Sequence, residues 1–176
     1  AGSELDKGGG RGYFQAAVSD QTIHTEVSNL SLPVASSALL IQAIPEGGGF
    51  RPNIENILYV LTSRPDGAPA DASLKVTIQG TGEVFSLQTG AYGLAEVRYT
   101  PKTSQQRLTI DARDKQGNLS SKAFTFTSNS STTDSILLRP QKPVYKVGDA
   151  MQLTLLSSKA AGTAYLDIIR HRQTIS

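Results

Sequence analysis

Short stretches of alternating apolar and polar residues follow one another along nearly the whole chain. Successive side chains of a β-strand point to opposite faces, so this alternation predicts half-buried strands. The stretch 74–79 is the clearest case, because Leu74, Val76 and Ile78 alternate with polar residues. The stretch 54–62 is apolar at both sets of positions, which is typical of a central strand covered on both faces.

Turn residues such as Pro65-Asp66-Gly67 separate these stretches. Seven short strands in about ninety residues predict an all-β fold, an immunoglobulin-like seven-stranded antiparallel β-sandwich, and no window carries a helical period. The predicted strands are Ala38–Ile44, Ile54–Thr62, Ser73–Gln79, Glu83–Leu87, Leu94–Tyr99, Arg107–Ala112 and Lys122–Thr127. The predicted core consists of Leu58, Val60, Leu74, Val76, Ile78, Val97, Leu108, Ile110, Phe124 and Phe126.

Further strands are predicted on both sides of this sandwich, which is assigned residues 37–129. Residues 1–36 contain a glycine-rich lead and the strands Tyr13–Ser19 and Val27–Val34, which resemble the close of a preceding domain. Residues 130–176 contain most of a polar linker, Ser128–Ser135, and then strands that are predicted to open a following domain. The opening strands are Ile136–Leu138, Ala150–Leu156 and Thr163–Ile169.

A weak internal repeat supports this division. Asp20 aligns with Asp114 and Phe50 with Tyr145, at offsets of 94 and 95 residues that match one immunoglobulin-like domain. The partial flanking modules would expose unpaired strand edges, so we expect them to cover each other. The result would be either a two-sandwich monomer or a strand-exchanged homodimer in which Ile136 to Leu138 and Met151 to Leu155 are protected.

Composition excludes several classes of function. Seventeen basic and fifteen acidic residues give a net charge of +2 without a cluster of either sign, which predicts no nucleic-acid partner. The absence of Cys excludes thiolate zinc sites, disulfides and thiol redox chemistry. No apolar run approaches the ~20 residues of a membrane span.

Three Asp residues are candidate calcium ligands. Asp111, Asp114 and the equivalent Asp20 could supply oxygens at a domain junction. The favoured interpretation is that they form turns, because the six or more oxygens that calcium needs are not gathered in one loop.

The remaining candidates have ordinary interpretations as well. His171, between Arg170 and Arg172, is either an anion site or the solvated end of a strand, and Ser157, Ser158 and Lys159 lack the base and oxyanion hole of a Ser-Lys nucleophile. Gly8–Gly10 and Gly47–Gly49 lack the Lys and helix of a phosphate loop. Asn29, Asn118 and Asn129 begin glycosylation sequons and indicate exposed loops. The sequence therefore predicts no catalytic, cofactor-binding or metal-binding residue.

Two segments, 138–149 and 162–175, resemble the opening of a macroglobulin domain in the α2-macroglobulin and complement family. Tyr145-Lys146-Val147-Gly148-Asp149 is similar to the turn that enters the second strand there. Further similarities lie in the middle module and match the family's fourth macroglobulin domain, namely Ile44-Pro45-Glu46, Tyr59-Val60-Leu61-Thr62, Pro65 to Ala70 and Gly93-Leu94-Ala95. By this resemblance, residues 1–36 close the third domain and residues from about 135 open the fifth. The absence of Cys makes the chain more similar to the bacterial members than to the disulfide-bearing vertebrate ones.

The resemblance implies a function without chemistry of its own. The chain would be a non-catalytic structural module of a protease-trapping inhibitor, with the bait and thioester regions outside it. It would contact neighbouring macroglobulin domains, meet proteases through its parent protein, need no cofactor, and act in the periplasm, at the cell surface or after secretion. The alternative is an immunoglobulin-like stalk repeat of a bacterial surface adhesin of the invasin and intimin type, which also uses an Asp-Gly-X-Pro-Ala turn. Tandem copies of one repeat in the parent would indicate the adhesin.

Overall fold

The computed structural model describes residues 9–20, 24–127 and 134–174, and these residues form antiparallel strands and no helix. The predicted all-β fold is confirmed. The strands are β1 (Gly9–Ser19), β2 (Thr25–Ala35), β3 (Leu40–Pro45), β4 (Asn56–Ser63), β5 (Ala72–Ile78), β6 (Val84–Gln88), β7 (Leu94–Tyr99), β8 (Gln105–Asp114), β9 (Leu119–Thr127), β10 (Ile136–Pro140), β11 (Leu153–Ser157), β12 (Ile169–Arg170) and β13 (Gln173–Thr174).

Strands β3 to β9 form an immunoglobulin-like sandwich of two sheets. One sheet has the order β3-β4-β7 and the other β6-β5-β8-β9. The alternating apolar side chains of both sheets meet in one core, as the sequence pattern predicts. The fully buried core side chains include Leu39, Phe50, Leu58, Val60, Val76, Ile78, Val97, Leu108 and Ile110.

The turn after β4 moves the chain from one sheet to the other, and buried hydroxyl groups hold this crossing. The Thr62 hydroxyl donates to the Ala70 carbonyl at 2.6 Å. The Thr89 hydroxyl donates to the same carbonyl at 3.0 Å and accepts from the Ala72 amide at 2.9 Å. Because these hydroxyl groups are buried, their hydrogen bonds satisfy groups that water cannot reach.

The chain enters and leaves the sandwich at opposite ends. Leu40, the first residue of β3, pairs with Ser63, and Arg64 next to it donates to Gln116 at 3.2 Å. At the other end the last residue of β9, Thr127, pairs with Gln105. Six residues of β3 span roughly 20 Å between these ends.

Two predicted core residues are less buried than expected. Phe124 and Phe126 are half-buried and pack against the core from its side, because β9 is an edge strand of its sheet. The eight others are fully buried. Phe50, absent from the predicted core, fills the space beside Phe126, with ring centroids 5.5 Å apart.

The predicted strands at the two flanks are only partly correct. β11 begins at Leu153, three residues later than expected, and the prediction for Thr163–Ile169 is wrong apart from Ile169. Residues 162–168 are not hydrogen-bonded to any described strand, and the short β12–β13 hairpin follows them. The linker residues 128–133, the lead residues up to 8, Asn129 and Ile175 lie outside the described residues.

The two flanking hairpins do not complete one sandwich within the chain. Strands β1 and β2 pair only with each other among the described strands, and so do β10 and β11. Within a single chain Ile136, Met151 and Leu155 are exposed, so the described residues do not form the two-sandwich monomer, and the strand-exchanged homodimer stays a prediction. The module boundaries 1–36, 37–129 and 130–176 remain a prediction.

Candidate functional site at the junction hairpin

The most elaborate polar arrangement joins the sandwich to the hairpin formed by β10 and β11, which we call the junction hairpin. Glu46 directly follows β3, and its amide donates to the Ile57 carbonyl at 2.9 Å. Its carboxylate in turn accepts from the Ile57 amide at 2.6 Å. The Glu46 side chain thus extends the β3–β4 ladder and is held at the end of the sheet.

Arg139 of the junction hairpin binds this carboxylate through two parallel hydrogen bonds. Its Nε lies 2.8 Å from Oε2 of Glu46, and its Nη2 lies 2.6 Å from Oε1. The same guanidinium donates to the Glu55 carbonyl at 3.0 Å and to the Glu55 carboxylate at 3.2 Å. Arg98 contacts that second carboxylate at 3.1 Å, so two arginines and two glutamates form one network.

The central pair is largely withdrawn from water. The side chains of Arg139 and Glu46 are 18% and 10% exposed, whereas Arg98 and Glu55 at the rim are about half exposed. The hydrogen bonds to Glu46 raise the pKa of Arg139 above its ordinary value. A two-pronged arginine–carboxylate pair fixes orientation as well as distance, because both partners are planar.

Apolar side chains surround this network. The outer face of β4 presents Ile57 and Tyr59, and the junction hairpin brings Leu137 towards the same region. A Cβ added to Gly47 would lie 3.2 Å from the Leu137 side chain, so the two elements approach closely. A groove of about 710 Å³ runs between them and is lined by residues of both. The hairpin therefore covers part of the outer face of β4.

A compact turn closes the junction hairpin. The Tyr145 hydroxyl accepts from the Lys142 amide at 3.0 Å and donates to the Gln152 carbonyl at 3.4 Å. The Lys146 amide donates to the Asp149 carboxylate at 3.0 Å, and Gly148 has a φ of 95° that favours glycine. The conformation of this segment therefore depends on its tyrosine, glycine and aspartate.

Of the aspartates that were candidate calcium ligands, Asp20 and Asp114 form turns. The interpretation of Asp111 as a turn residue is wrong, because it lies within β8 and is paired with Ser121 of β9. Asp114 accepts from the Gln116 and Asn118 amides at 3.0 and 2.8 Å, and the Asn118 side chain donates to its other oxygen at 2.8 Å. The Asn118 bonds lower the pKa of Asp114. Asp20 accepts from the His24 amide, and Asp111 accepts from the Ser121 hydroxyl. Within residues 9–20, 24–127 and 134–174, no three His, Asp or Glu side chains gather as a metal site.

The candidate Ser-Lys group has structural partners. The Ser158 hydroxyl accepts from the Ser135 amide at 2.8 Å, and the Ser157 hydroxyl accepts from the Lys159 amide at 3.1 Å. Lys159 forms an ion pair with Asp134 at 2.8 Å, and this bond raises the pKa of Lys159. These contacts close the base of the junction hairpin.

The other predicted candidates lie in exposed turns and strands. His171 and Arg172 have φ values of 51° and 66° and lie in the turn between β12 and β13, with Arg170 at the end of β12. The prediction of a loop at Asn29 is wrong, because this residue lies within β2 and accepts from Gln15. Gly48 lies in the turn after β3 with a φ of 73°.

The sequence pattern did not identify Glu46, Glu55, Arg98 or Arg139 as a site. The arrangement offers no nucleophile and base in contact, and it can hold two parts of the chain together.

No helix in the described part of the chain is long and apolar enough to cross a membrane. No protein-family model matches the chain, and no curated protein sequence matches it significantly.

Proposed function

We propose that this chain is a non-catalytic structural module that holds neighbouring modules in a fixed orientation within a larger protein. The observation that carries the proposal is the two-pronged pair between Arg139 and Glu46, which ties the hairpin after the sandwich to the sandwich itself. A module that acted only as a flexible spacer would not need a largely buried ion pair of specific geometry at the point where the chain leaves the sandwich.

The energetics of the pair favour a positional role. Withdrawing two charges from water is costly, and the attraction between them offsets that cost only when the geometry is good. Once formed, the pair is expensive to break from one side, because the remaining charge would stay buried without a partner. Such a contact contributes more to a defined arrangement than to overall stability.

We further propose that the parent is an α2-macroglobulin-like protease-trapping inhibitor located outside the cytoplasm. Support comes from the segment 138–149, whose similarity to a macroglobulin opening includes a turn that depends on Tyr145, Gly148 and Asp149. The partners would be the adjacent macroglobulin domains and, through the parent, the trapped protease. A thioester motif or a bait insertion encoded beyond Ser176 would support this parent, whereas tandem copies of one repeat would indicate the adhesin stalk.

Distance measurements between two spin labels test the positional role. The chain has no Cys, so Arg107→Cys on β8 and Val147→Cys in the turn of the junction hairpin give two unique labelling sites, both exposed. We expect a narrow distance distribution that broadens in Arg139→Met. Arg98→Met is the control, because it removes only the half-exposed rim arginine and should leave the distribution narrow. A distance distribution that is already broad when Arg139 is present would contradict the proposal.

An activity assay tests the non-catalytic part. The purified chain should neither hydrolyse peptides nor inhibit trypsin-like proteases at stoichiometric amounts. Stable inhibition by this chain alone would replace the scaffold role with that of a direct binding module.

A further inference from the structure

The hairpin of β1 and β2, which we call the first hairpin, has one polar and one apolar face. On the polar face, Arg11 donates to Ser31 at 2.8 Å and Gln15 donates to Asn29 at 3.1 Å. Tyr13 and Val27 share this polar face, and the strand register places the other large apolar side chains on the opposite face. They are exposed by 41–72% and comprise Phe14, Val18, Leu30, Leu32 and Val34, which we call the first apolar face.

The junction hairpin has the same two-sided construction. Leu137 and Arg139 lie on the side that contacts the sandwich. The side chains on the opposite face are exposed by 37–60%. These are Ile136, Leu138, Leu153 and Leu155, which we call the second apolar face.

The two apolar faces lie at opposite ends of the sandwich. The first hairpin leads into β3 beside the turn that contains Gln116, and the junction hairpin is held by Glu46 at the far end of β3. The side chains of both faces are at least 37% exposed, so neither face covers the other within one chain.

We propose that the first apolar face of one chain binds the second apolar face of another copy, in a head-to-tail arrangement. The nine side chains are all at least 37% exposed and would form the apolar centre of the interface, to which backbone and flanking residues add. Each hairpin would then supply one layer of a shared sandwich.

Charge favours this pairing of unlike faces. Residues 9–35 contain one basic and two acidic residues, whereas residues 134–159 contain four basic and two acidic residues. Two of these basic residues, Arg139 and Lys159, are paired with Glu46 and Asp134. Two junction hairpins carry net charge of the same sign, whereas a first hairpin and a junction hairpin carry net charge of opposite sign, which favours the pairing of unlike hairpins. Because each chain offers both faces, further copies can always be added. The assembly therefore either closes into a ring or grows as an open filament.

Sedimentation velocity and light scattering test the proposal on the chain of 18.7 kDa. We expect the average mass to rise with protein concentration. Leu30→Ser on the first face and Leu155→Ser on the second should each abolish growth, with at least a tenfold loss of affinity. Val27→Ser is the matched control, because this exposed valine lies on the other face of the first hairpin and should leave the assembly unchanged.

Mixing the two face variants tests the head-to-tail arrangement itself. Each variant retains one intact face, so an equimolar mixture should form a one-to-one dimer and stop there. A chain that stays monomeric at all concentrations would overturn the proposal, as would a Leu30→Ser variant that still dimerises with itself. Because neither variant touches the Arg139–Glu46 pair, this outcome is independent of the positional role proposed above. Circular dichroism of each variant confirms that the sandwich remains folded.

Discussion

Gly93 lies against Thr62 so closely that no side chain fits between them. The Thr62 amide donates to the Gly93 carbonyl at 2.7 Å, and a Cβ on Gly93 would lie 2.2 Å from the Thr62 carbonyl oxygen. Gly93 also has a φ of 64°, which favours glycine. The contact lies beside the hydroxyl cluster where the chain crosses between sheets.

We therefore expect Gly93→Ala to lower the free energy of unfolding by at least ~3 kcal/mol, through both strain and steric overlap. Gly90→Ala is the control, because Gly90 has the same φ of 64° but no atom near its would-be Cβ. It should cost only the ~1–2 kcal/mol of the left-handed conformation. Urea denaturation measures both, and equal losses would contradict the overlap.

The aromatic contact between Phe50 and Phe126 predicts that these two side chains contribute unequally to the free energy of unfolding. Phe50 is fully buried and lies between Tyr99 and Phe126. Phe50→Ala should cost ~3–5 kcal/mol through lost burial and the cavity that remains. Phe126→Ala should cost about half as much, because its ring is half-buried on an edge strand. Chemical denaturation that ranks them in the reverse order would show that the core is centred elsewhere.

The Arg139–Glu46 pair should show strong energetic coupling. In a double-mutant cycle with Arg139→Met and Glu46→Gln, we expect about 1.5–3 kcal/mol, as for hydrogen bonds to charged groups. Amide hydrogen exchange in β10 and β11 is the suitable measurement, since it reports local opening of the junction hairpin. The rim pair Arg98–Glu96, 3.8 Å apart and half exposed, is the control and should couple by less than ~1 kcal/mol. Equal coupling energies for the two pairs would contradict a special role for the Arg139–Glu46 pair in holding the junction hairpin.

The turn at Asp114 predicts an acid-sensitive contribution to stability. The side chain and backbone of Asn118 donate to Asp114 and lower its pKa below the ordinary value. A carboxyl whose pKa is lowered by folding stabilises the protein above its unfolded pKa of about 3.9, and this stabilisation is lost as the pH falls.

The melting temperature of the Asp114→Asn variant should thus lie below that of the unsubstituted chain at neutral pH. The difference between the two melting temperatures should disappear below about pH 4. Asn118→Ala should raise the pKa of Asp114 towards its ordinary value, which an NMR titration of the carboxyl can follow. A gap that is constant with pH would show that the Asp114 charge does not contribute.

The sequence predicted the fold well because strand alternation is a local signal. Leu74, Val76 and Ile78 face the core as the alternation requires. Phe50 was missed because it lies in a loop after Gly47–Gly49, where no period indicates its direction. The strand expected over Thr163–Ile169 was wrong because alternation shows which face is apolar and does not supply a pairing strand.

The junction could not be predicted by the same means. Glu46 and Arg139 are 93 residues apart, and a single charged residue carries no local signature of its partner. One signal did exist. The stretch 54–62 is apolar on both faces, and Ile57 on its outer face is almost fully buried beside the junction.

The entry and exit of the chain at opposite ends of the sandwich also determine how the module responds to mechanical tension. A pull on Leu40 and Thr127 runs along β3 and β9, and the hydrogen bonds of their ladders lie across that direction. The bonds are therefore loaded in shear together instead of being opened one after another. In single-molecule pulling we expect this geometry to resist higher forces than separating β8 from β9 at their shared turn, so the module would transmit load between its neighbours.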